Sequence, residues 1–383
     1  MRPLIVIGTR PEAIKLAPVA RALPEAAILL TGQHPTEMVV PTLEYFGVAD
    51  QIAVKCNHIA GLDLPQSFSR AFSWIGSQLA DASCVIGQGD TTTAAAAAQA
   101  AFYAGVPFVH VEAGLRTYDA TPYPEEFFRR LCALAATVHC CPTERAAANL
   151  RNERVVGLVE VTGNTVVDAI EFAIDRPSPE WPEKYAHLDS GMLILVTCHR
   201  RENHGFFIDS LSDSIAEVAR CHDRSTILWA AHPNLASRPS RSIADIFIAP
   251  PPYAEWVWLM NKADLIVTDS GGIQEEAAIL GKPCYVLRDS TERPEALECG
   301  ACRMTDFDTI EGQLKEFLGD REEIPKDDPF HWLPRGRETP WPIRPHPFGD
   351  GHAGEKIAKI VRQLTNTETE GQINVETVSG ATH

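Results

Sequence analysis

The sequence predicts an α/β protein made of two doubly wound domains, each with a parallel sheet covered by helices. Three observations point there. Short β-branched runs alternate with helical patterns from the first residues onward. The alternation lapses once, over 175–190, and then resumes. The chain has 383 residues, about twice the length of an ordinary domain.

In the first half, Leu4–Ile7 reads as a buried strand, Glu12–Leu23 as a helix and Ala27–Leu30 as a second strand. Cys84–Gly87 is strand-like and leads into the alanine-rich helix Thr92–Ala104. Its alanine run at 94–98 suits a thin helix face pressed closely on a sheet. Phe108–Val111 is the next strand, and a helix begins near Pro124. The segment DRPSPEWPEKYAHLDS at 175–190 reads as an interdomain linker, because its prolines and charges interrupt both periods. The second half offers Met192–Thr197, a helix to about Arg220, Thr226–Ala231, Asp264–Thr268, the helix Ile273–Leu280 and Cys284–Leu287. The expected domains are therefore 1–174 and 175–352. Residues 325–348 suit an ordered irregular loop, since Trp332 and Trp341 call for burial. A helix over 353–364 and a disordered polar tail over 365–383 complete the expectation.

The formal net charge is −17, from 34 basic and 51 acidic residues. A nucleic-acid binder needs a basic footprint, and an anionic membrane surface needs the same. Both are excluded as partners, whereas a small anionic ligand is not. Ten cysteines in a chain of this length, with Cys140 and Cys141 adjacent and no C-x-x-C pair expected, suit reduced thiols in a cytoplasmic protein. The N-terminal apolar run LIVI is too short for a signal or a membrane span.

Polar residues gather at the expected strand ends. Leu4–Ile7 is followed by Gly8, Thr9, Arg10, Pro11 and Glu12, with Lys15 one turn into the helix. Pro11 suits a first helical turn. Arg10 beside a helix N-terminus suits a phosphate or carboxylate ligand, and equally a local pairing with Glu12. Asp264–Thr268 leads into Asp269, Ser270, Gly271 and Gly272. Ser270 is placed to cap the following helix. The glycines leave room for backbone N–H groups to face a diphosphate, and Glu276 lies within reach of ribose hydroxyls. Asp90, Glu112 and the pair Glu125 and Glu126 follow strands or open a helix. One such carboxylate is explained by the helix dipole. Several at one sheet edge would shift each other's proton affinities and supply general acid and base groups. His199 ends Met192–Thr197, where a structural and a catalytic role are equally open. No two-ligand metal motif, G-x-G-x-x-G fingerprint, P-loop or G-x-S-x-G elbow is found.

The ordered set GTRPEAIKLAPV (8–19), TGQH (31–34), GDTTT (89–93), HVEAGLRT (110–117), PEE (124–126), TGNTVVDA (162–169), HRREN (199–203), DSGGIQEEAAILGKP (269–283), RDSTERPEAL (288–297) and PFGDG (347–351) resembles the non-hydrolysing UDP-N-acetylglucosamine 2-epimerases over about 3–364. The resemblance implies a GT-B fold, with two Rossmann-like domains, the active site between them, and a C-terminal helix that returns to the first domain. It implies inversion at C2 of UDP-GlcNAc to give UDP-ManNAc, by anti elimination of UDP and re-addition to a 2-acetamidoglucal. The family's catalytic carboxylates fall on Asp90, Glu112 and Glu125, and its catalytic histidine on His199. Arg10 and Lys15 match positions near the diphosphate and sugar. Ser270, Gly271 and Glu276 match diphosphate and ribose contacts, and Arg293 a further UDP-side contact. No cofactor or metal is implied, and a homodimer is.

Some positions depart from the family pattern. Phe128 stands where an asparagine is usual, and the loop from Arg116 to Pro124 is shorter. Both lie beside Glu125, so an altered sugar pocket is expected. Gln33, His34, Arg200 and His232 match segments that bind an activating second UDP-GlcNAc in bacterial members, but their neighbours are changed, so activation is expected to be weak or absent. The alternatives are a 2-epimerase for a modified sugar such as a UDP-diacetamido-uronic acid, a hydrolysing epimerase, and a GT-B glycosyltransferase. Glu112-Ala-Gly-Leu-Arg-Thr favours the plain UDP-GlcNAc reading.

Overall fold

The computed structural model describes residues 1–56, 59–176, 181–185, 188, 192–198, 206–220, 225–230, 246–319 and 343–369. Its contacts divide the chain into two units. One holds Met1–Gly114, Asp119–Thr165 and the chain from Gly351 onward; the other holds Leu115–Tyr118 and Val166–Asp350.

The first unit contains strands β1 (Arg2–Ile7), β2 (Ala27–Leu30), β3 (Ile52–Lys55), β4 (Ala82–Gln88), β5 (Phe108–Val111), β6 (Val138–Cys141) and β7 (Leu158–Val161). They form one sheet in the order β3-β2-β1-β4-β5-β6-β7, and every pairing is parallel. Its helices are α1 (Arg10–Ala22), α2 (Thr36–Tyr45), α3 (Leu64–Gly76), α4 (Thr92–Ala104), α5 (Glu125–Ala135) and α6 (Glu144–Asn152). Parallel strands are buried on both faces and so carry continuous apolar runs; β4 and β5 are buried throughout. Ala94–Ala98 of α4 are fully buried in the same core as Val85 and Phe108, the close packing that the alanine run predicts. The strand order reverses direction between β1 and β4. In open α/β sheets that switch point is where ligands sit, beyond the carboxyl ends of the strands.

The second unit takes in α7 (Thr165–Ile174) from Val166, then α8 (Trp181–Lys184), α9 (Phe206–Arg220), α10 (Tyr253–Lys262), α11 (Gly271–Ile279), α12 (Pro294–Glu298) and α13 (Ile310–Gly319). Its strands are β8 (Met192–Thr197), β9 (Ser225–Ala230), β10 (Ile246–Ile248), β11 (Leu265–Thr268), β12 (Cys284–Leu287) and β13 (Cys302–Thr305). They pair in parallel in the order β10-β9-β8-β11-β12-β13, with a switch point between β8 and β11.

The last helix, α14 (Ala353–Thr369), runs past the 364 expected from sequence and packs on α1 in the first unit. The contact depends on a missing side chain: a Cβ on Gly354 would lie 2.7 Å from the Pro18 carbonyl oxygen. Farther along, Arg362 bonds Glu25 at 2.8 Å and the Ala22 carbonyl at 2.7 Å.

Three expectations need revision. The contact boundary falls at Thr165, so α7 packs with the second unit, not the first. The stretch 175–190 is not a simple linker, because Tyr185 and Leu188 are buried in the second unit's core. Its Tyr185 hydroxyl donates to Glu255 at 2.6 Å. The cysteines do include a C-x-x-C pair, Cys299 and Cys302. Both thiols are buried, and burial pushes Cys299 above the usual range. Of the proline-rich 325–348 segment, 325–342, with Trp332 and Trp341, lies outside the described residues, as do 370–383 of the tail. No described helix is long and apolar enough to cross a membrane.

Candidate active site

The turn after β1 is built around Glu12. Thr9 caps α1 and Glu12 answers it in a capping box. Glu12 Oε2 accepts from Gly8 N at 2.9 Å, Thr9 N at 2.7 Å and Thr9 Oγ1 at 2.9 Å. Its Oε1 accepts from Thr91 Oγ1 at 2.6 Å, in the turn after β4. Burial outweighs these bonds and pushes the carboxyl up to about 7. Its partners are all neutral, so the local Arg10 pairing that the sequence left open is not formed. The same box consumes the donors of α1. Arg10 N donates to His34 Nδ1 at 3.3 Å, and Pro11 has no N–H. The α1 N-terminus therefore offers no free amide to an anion, contrary to the sequence-based expectation.

Acidic side chains gather along the same sheet edge. Asp90 follows β4 and pairs with Arg129 of α5 at 2.6 Å. Arg129 is buried and also bonds Glu126 at 3.0 Å. Glu112 follows β5 with φ of 61°, a left-handed conformation that costs a side-chain-bearing residue about 1–2 kcal/mol. Both of its oxygens lie 2.7 Å from Lys15 Nζ, and Gln88 Nε2 donates to Oε2. Lys15 and Glu112 are both buried, so the Lys15 charge is answered within the protein. Glu125 is partly buried and opens α5, the helix that carries Arg129. Gln33 accepts from Thr93 N at 3.1 Å and Thr93 Oγ1 at 2.8 Å, and His34 N donates to the Gly8 carbonyl at 2.7 Å. Both brace the turns at the switch point. Phe128 faces the core, stacked on Phe68 at 6.2 Å and buried. It therefore gives no support to the expectation of an altered sugar pocket.

The second unit presents a different helix start. Ser270 occupies the N-cap of α11, but its side chain makes no cap bond, which corrects the expected capping role. Among the described residues nothing accepts from the N–H groups of Gly271, Gly272 and Ile273. A Cβ on Gly272 would meet open space; one on Gly271 would lie 2.6 Å from Arg293 Nη1. Three amides with no acceptor among the described residues, at the positive end of a helix dipole, suit an anion. Arg293 is buried against this helix start and paired with Glu275 at 3.0 Å and with Glu292. Arg288 also pairs with Glu292, at 3.0 Å. Arg293, expected as a UDP-side contact, thus has its charge answered by carboxylates of its own unit. Glu276 is buried, and its Oε2 accepts from Trp256 Nε1 at 3.3 Å. Beneath the switch point, Cys198 Sγ donates to Asp269 at 3.1 Å. His199, Arg200 and His232 lie outside the described residues.

The structure thus brings Arg10, Lys15, Asp90, Glu112 and Glu125 to one edge of the first unit. Ser270, Gly271, Glu276 and Arg293 gather around α11 in the second. Sequence reasoning missed Arg129, Gln88 and the central place of Glu12. Of these, only Glu12 had a local signal, the T-x-x-E spacing of a capping box.

A family model described as UDP-N-acetylglucosamine 2-epimerase matches residues 20–362. The chain belongs to that family. It is 37% identical to the UDP-N-acetylglucosamine 2-epimerase of Salmonella typhimurium, over 94% of this chain and 98% of the relative. The epimerase of Neisseria meningitidis bound to UDP-GlcNAc has a TM-score of 0.84 and 34% identity, over 95% of this chain and 100% of that one. The Methanocaldococcus jannaschii epimerase in complex with UDP-GlcNAc and UDP gives 0.79 and 30%, over 95% and 100%. As in that family, the chain has a GT-B fold with two Rossmann-like units, and it is an enzyme.

Proposed function

We propose that this epimerase inverts C2 of UDP-GlcNAc to UDP-ManNAc without releasing free sugar. The observation that carries the reading is the set of carboxylates Asp90, Glu112 and Glu125 at one sheet edge, two of them answered by buried cations from separate helices. A carboxylate takes the C2 proton while the C1–O bond breaks. The electron pair of the C2–H bond becomes the C1–C2 double bond of 2-acetamidoglucal, and UDP leaves as an anion. UDP then adds back to C1, and an acid on the opposite face returns a proton to C2. The C2 proton is weakly acidic, so base and acid must stand on opposite faces. UDP must be held without water, which would hydrolyse the glycal. The uncapped α11 start supports UDP binding at Ser270 and Gly271, and Glu276 supports a ribose contact. His199 completes the set by family match.

Incubation with UDP-GlcNAc in D2O, followed by NMR, tests the reaction. Deuterium at C2 and a UDP-ManNAc signal are expected. An inert substrate overturns the reading, and free ManNAc with UDP identifies a hydrolysing enzyme.

The family's dimeric habit extends to this chain in the same proposal. Phe102 and Tyr103 of α4 and Phe127 and Leu134 of α5 are exposed large apolar side chains on helices packed side by side, a surface suited to a second copy. Sedimentation of the wild type and of Phe102→Asp decides it: a monomeric wild type overturns the dimer.

A further inference from the structure

Glu12 joins the two sides of the β1/β4 switch point through a single buried carboxylate. Three donors reach Oε2 from the turn that precedes Arg10, and one reaches Oε1 from Thr91, the residue after Asp90. Thr91 is shared: its Oγ1 also accepts from Ala94 N at 3.0 Å and so caps α4. The chain thus runs from Glu12 through Thr91 to the backbone that presents Asp90. On its other side the same carboxylate fixes the Gly8 and Thr9 amides, and with them the start of Arg10.

We propose that Glu12 is a positioning residue for the reaction, holding Asp90 and Arg10 in one fixed relation by tying the Gly8–Thr9 turn to Thr91. This rests on the epimerase reading above. Reacting groups must be placed to a fraction of an ångström, and a displacement of about 1 Å costs on the order of 100-fold in rate.

A carboxylate suits the task and an amide does not. Two of the donors on Oε2 are backbone N–H groups, which cannot reverse. In Glu12→Gln the amide oxygen must therefore face Gly8 and Thr9, and the NH2 must face Thr91. There it donates to a hydroxyl that already accepts from Ala94 N, and the hydroxyl proton loses its acceptor. The lesion falls on the Asp90 side alone. Protonation of Glu12 on Oε1 has the same effect. No ion pair reaches Glu12 among the described residues. The charged groups on the neighbouring turns are engaged elsewhere, Lys15 with Glu112 and Asp90 with Arg129; His34 accepts from Arg10 N.

A cycle of Glu12→Gln and Thr91→Val, with Thr91→Ser as the conservative control, tests the proposal at pH 8. Each of the first two is expected to lower kcat about 10-fold or more, with KM for UDP-GlcNAc within about twofold. The double variant is expected to be no slower than the slower single variant, because both cut one connection. Thr91→Ser should restore wild-type kcat. Multiplying losses, unchanged kcat in Glu12→Gln, or a KM that moves with kcat would overturn the proposal. Crystal structures of Glu12→Gln and Thr91→Val provide a reading without turnover, in which Asp90 should leave Arg129. If the wild type proves inert toward UDP-GlcNAc, the epimerase reading fails alone. The position of Asp90 then decides whether Glu12 positions it.

Discussion

Lys15 and Glu112 stand 97 positions apart in the chain, yet the Lys15 ammonium lies 2.7 Å from both oxygens of the Glu112 carboxylate. The pair bridges α1 and the end of β5, and neither side chain is appreciably exposed. Removing one member of a buried pair leaves an uncompensated charge, at a cost of about 3–5 kcal/mol, whereas replacing both with apolar groups is often near neutral. Lys15→Met should therefore lower unfolding stability by about 3–5 kcal/mol. Lys15→Met/Glu112→Leu should recover most of that loss and remain inactive. Urea unfolding with turnover assays checks both halves.

Arg129 bridges Asp90 and Glu126 from a buried position. A planar guanidinium can serve two carboxylates in fixed directions; an ammonium acts as a point charge. Arg129→Lys is expected to keep the fold and lose about 10-fold or more in kcat through a misplaced Asp90. UDP affinity, measured by calorimetry, should stay within about threefold of wild type, since the proposed diphosphate site lies on α11.

Much of the fold is legible because parallel strands buried on both faces leave unbroken apolar runs. Phe108–Val111, Met192–Thr197 and Cys284–Leu287 are found at the residues the sequence indicates. The edge strand β3 escapes because its residues are half-buried or exposed and carry no such run. The acidic set is visible as residues after strands, but Arg129 is not: its pairing with Asp90 is a tertiary contact with no local spacing. Phe128 shows the opposite error. Proximity in sequence to Glu125 suggested a pocket residue, yet the Phe128 side chain stacks on Phe68 and is buried in the core. Phe128→Asn should thus act on stability, lowering it by about 3–5 kcal/mol, and leave the preference among UDP-sugars unchanged. Thermal unfolding and competition assays separate the two effects.

The starts of α1 and α11 are finished differently, and the proposed anion site rests on that difference. In α1 the capping box and His34 occupy the amides; in α11 the N–H groups of Gly271, Gly272 and Ile273 meet no described acceptor. A side chain on Gly271 would collide with Arg293 Nη1 and Glu292 Oε1, at 2.6 and 2.8 Å. Gly271→Val should weaken UDP binding by about 10-fold or more and shift the Arg293 cluster, whereas Gly8→Ala should act on the first unit, where a Cβ would collide with Thr93 Oγ1 and lie 2.8 Å from Thr31 Oγ1. UDP titration calorimetry on both variants tests this. Equal loss of affinity would remove the special status of α11.

Glu12 carries a cost in stability that runs against its proposed use. Its carboxyl is raised from 4.5 to about 7 by burial, so the folded state binds its proton more tightly than the unfolded chain does. The stabilisation from that proton is fully present below about pH 4.5 and is lost as pH rises through about 7. The raised pKa corresponds to a loss on the order of 3 kcal/mol across this window. Glutamine cannot titrate, so the stability of wild type minus that of Glu12→Gln should fall between pH 5 and 7 and level off above it. Urea unfolding of both proteins at pH 5, 6, 7 and 8 measures the difference. A flat or rising difference would show that Glu12 does not titrate in this window. The ionised carboxylate is the form that accepts all four donors. Wild-type kcat relative to Glu12→Gln should therefore climb with pH over the same range in which relative stability declines, so the geometry that serves the reaction is held by the less stable of the two protonation states.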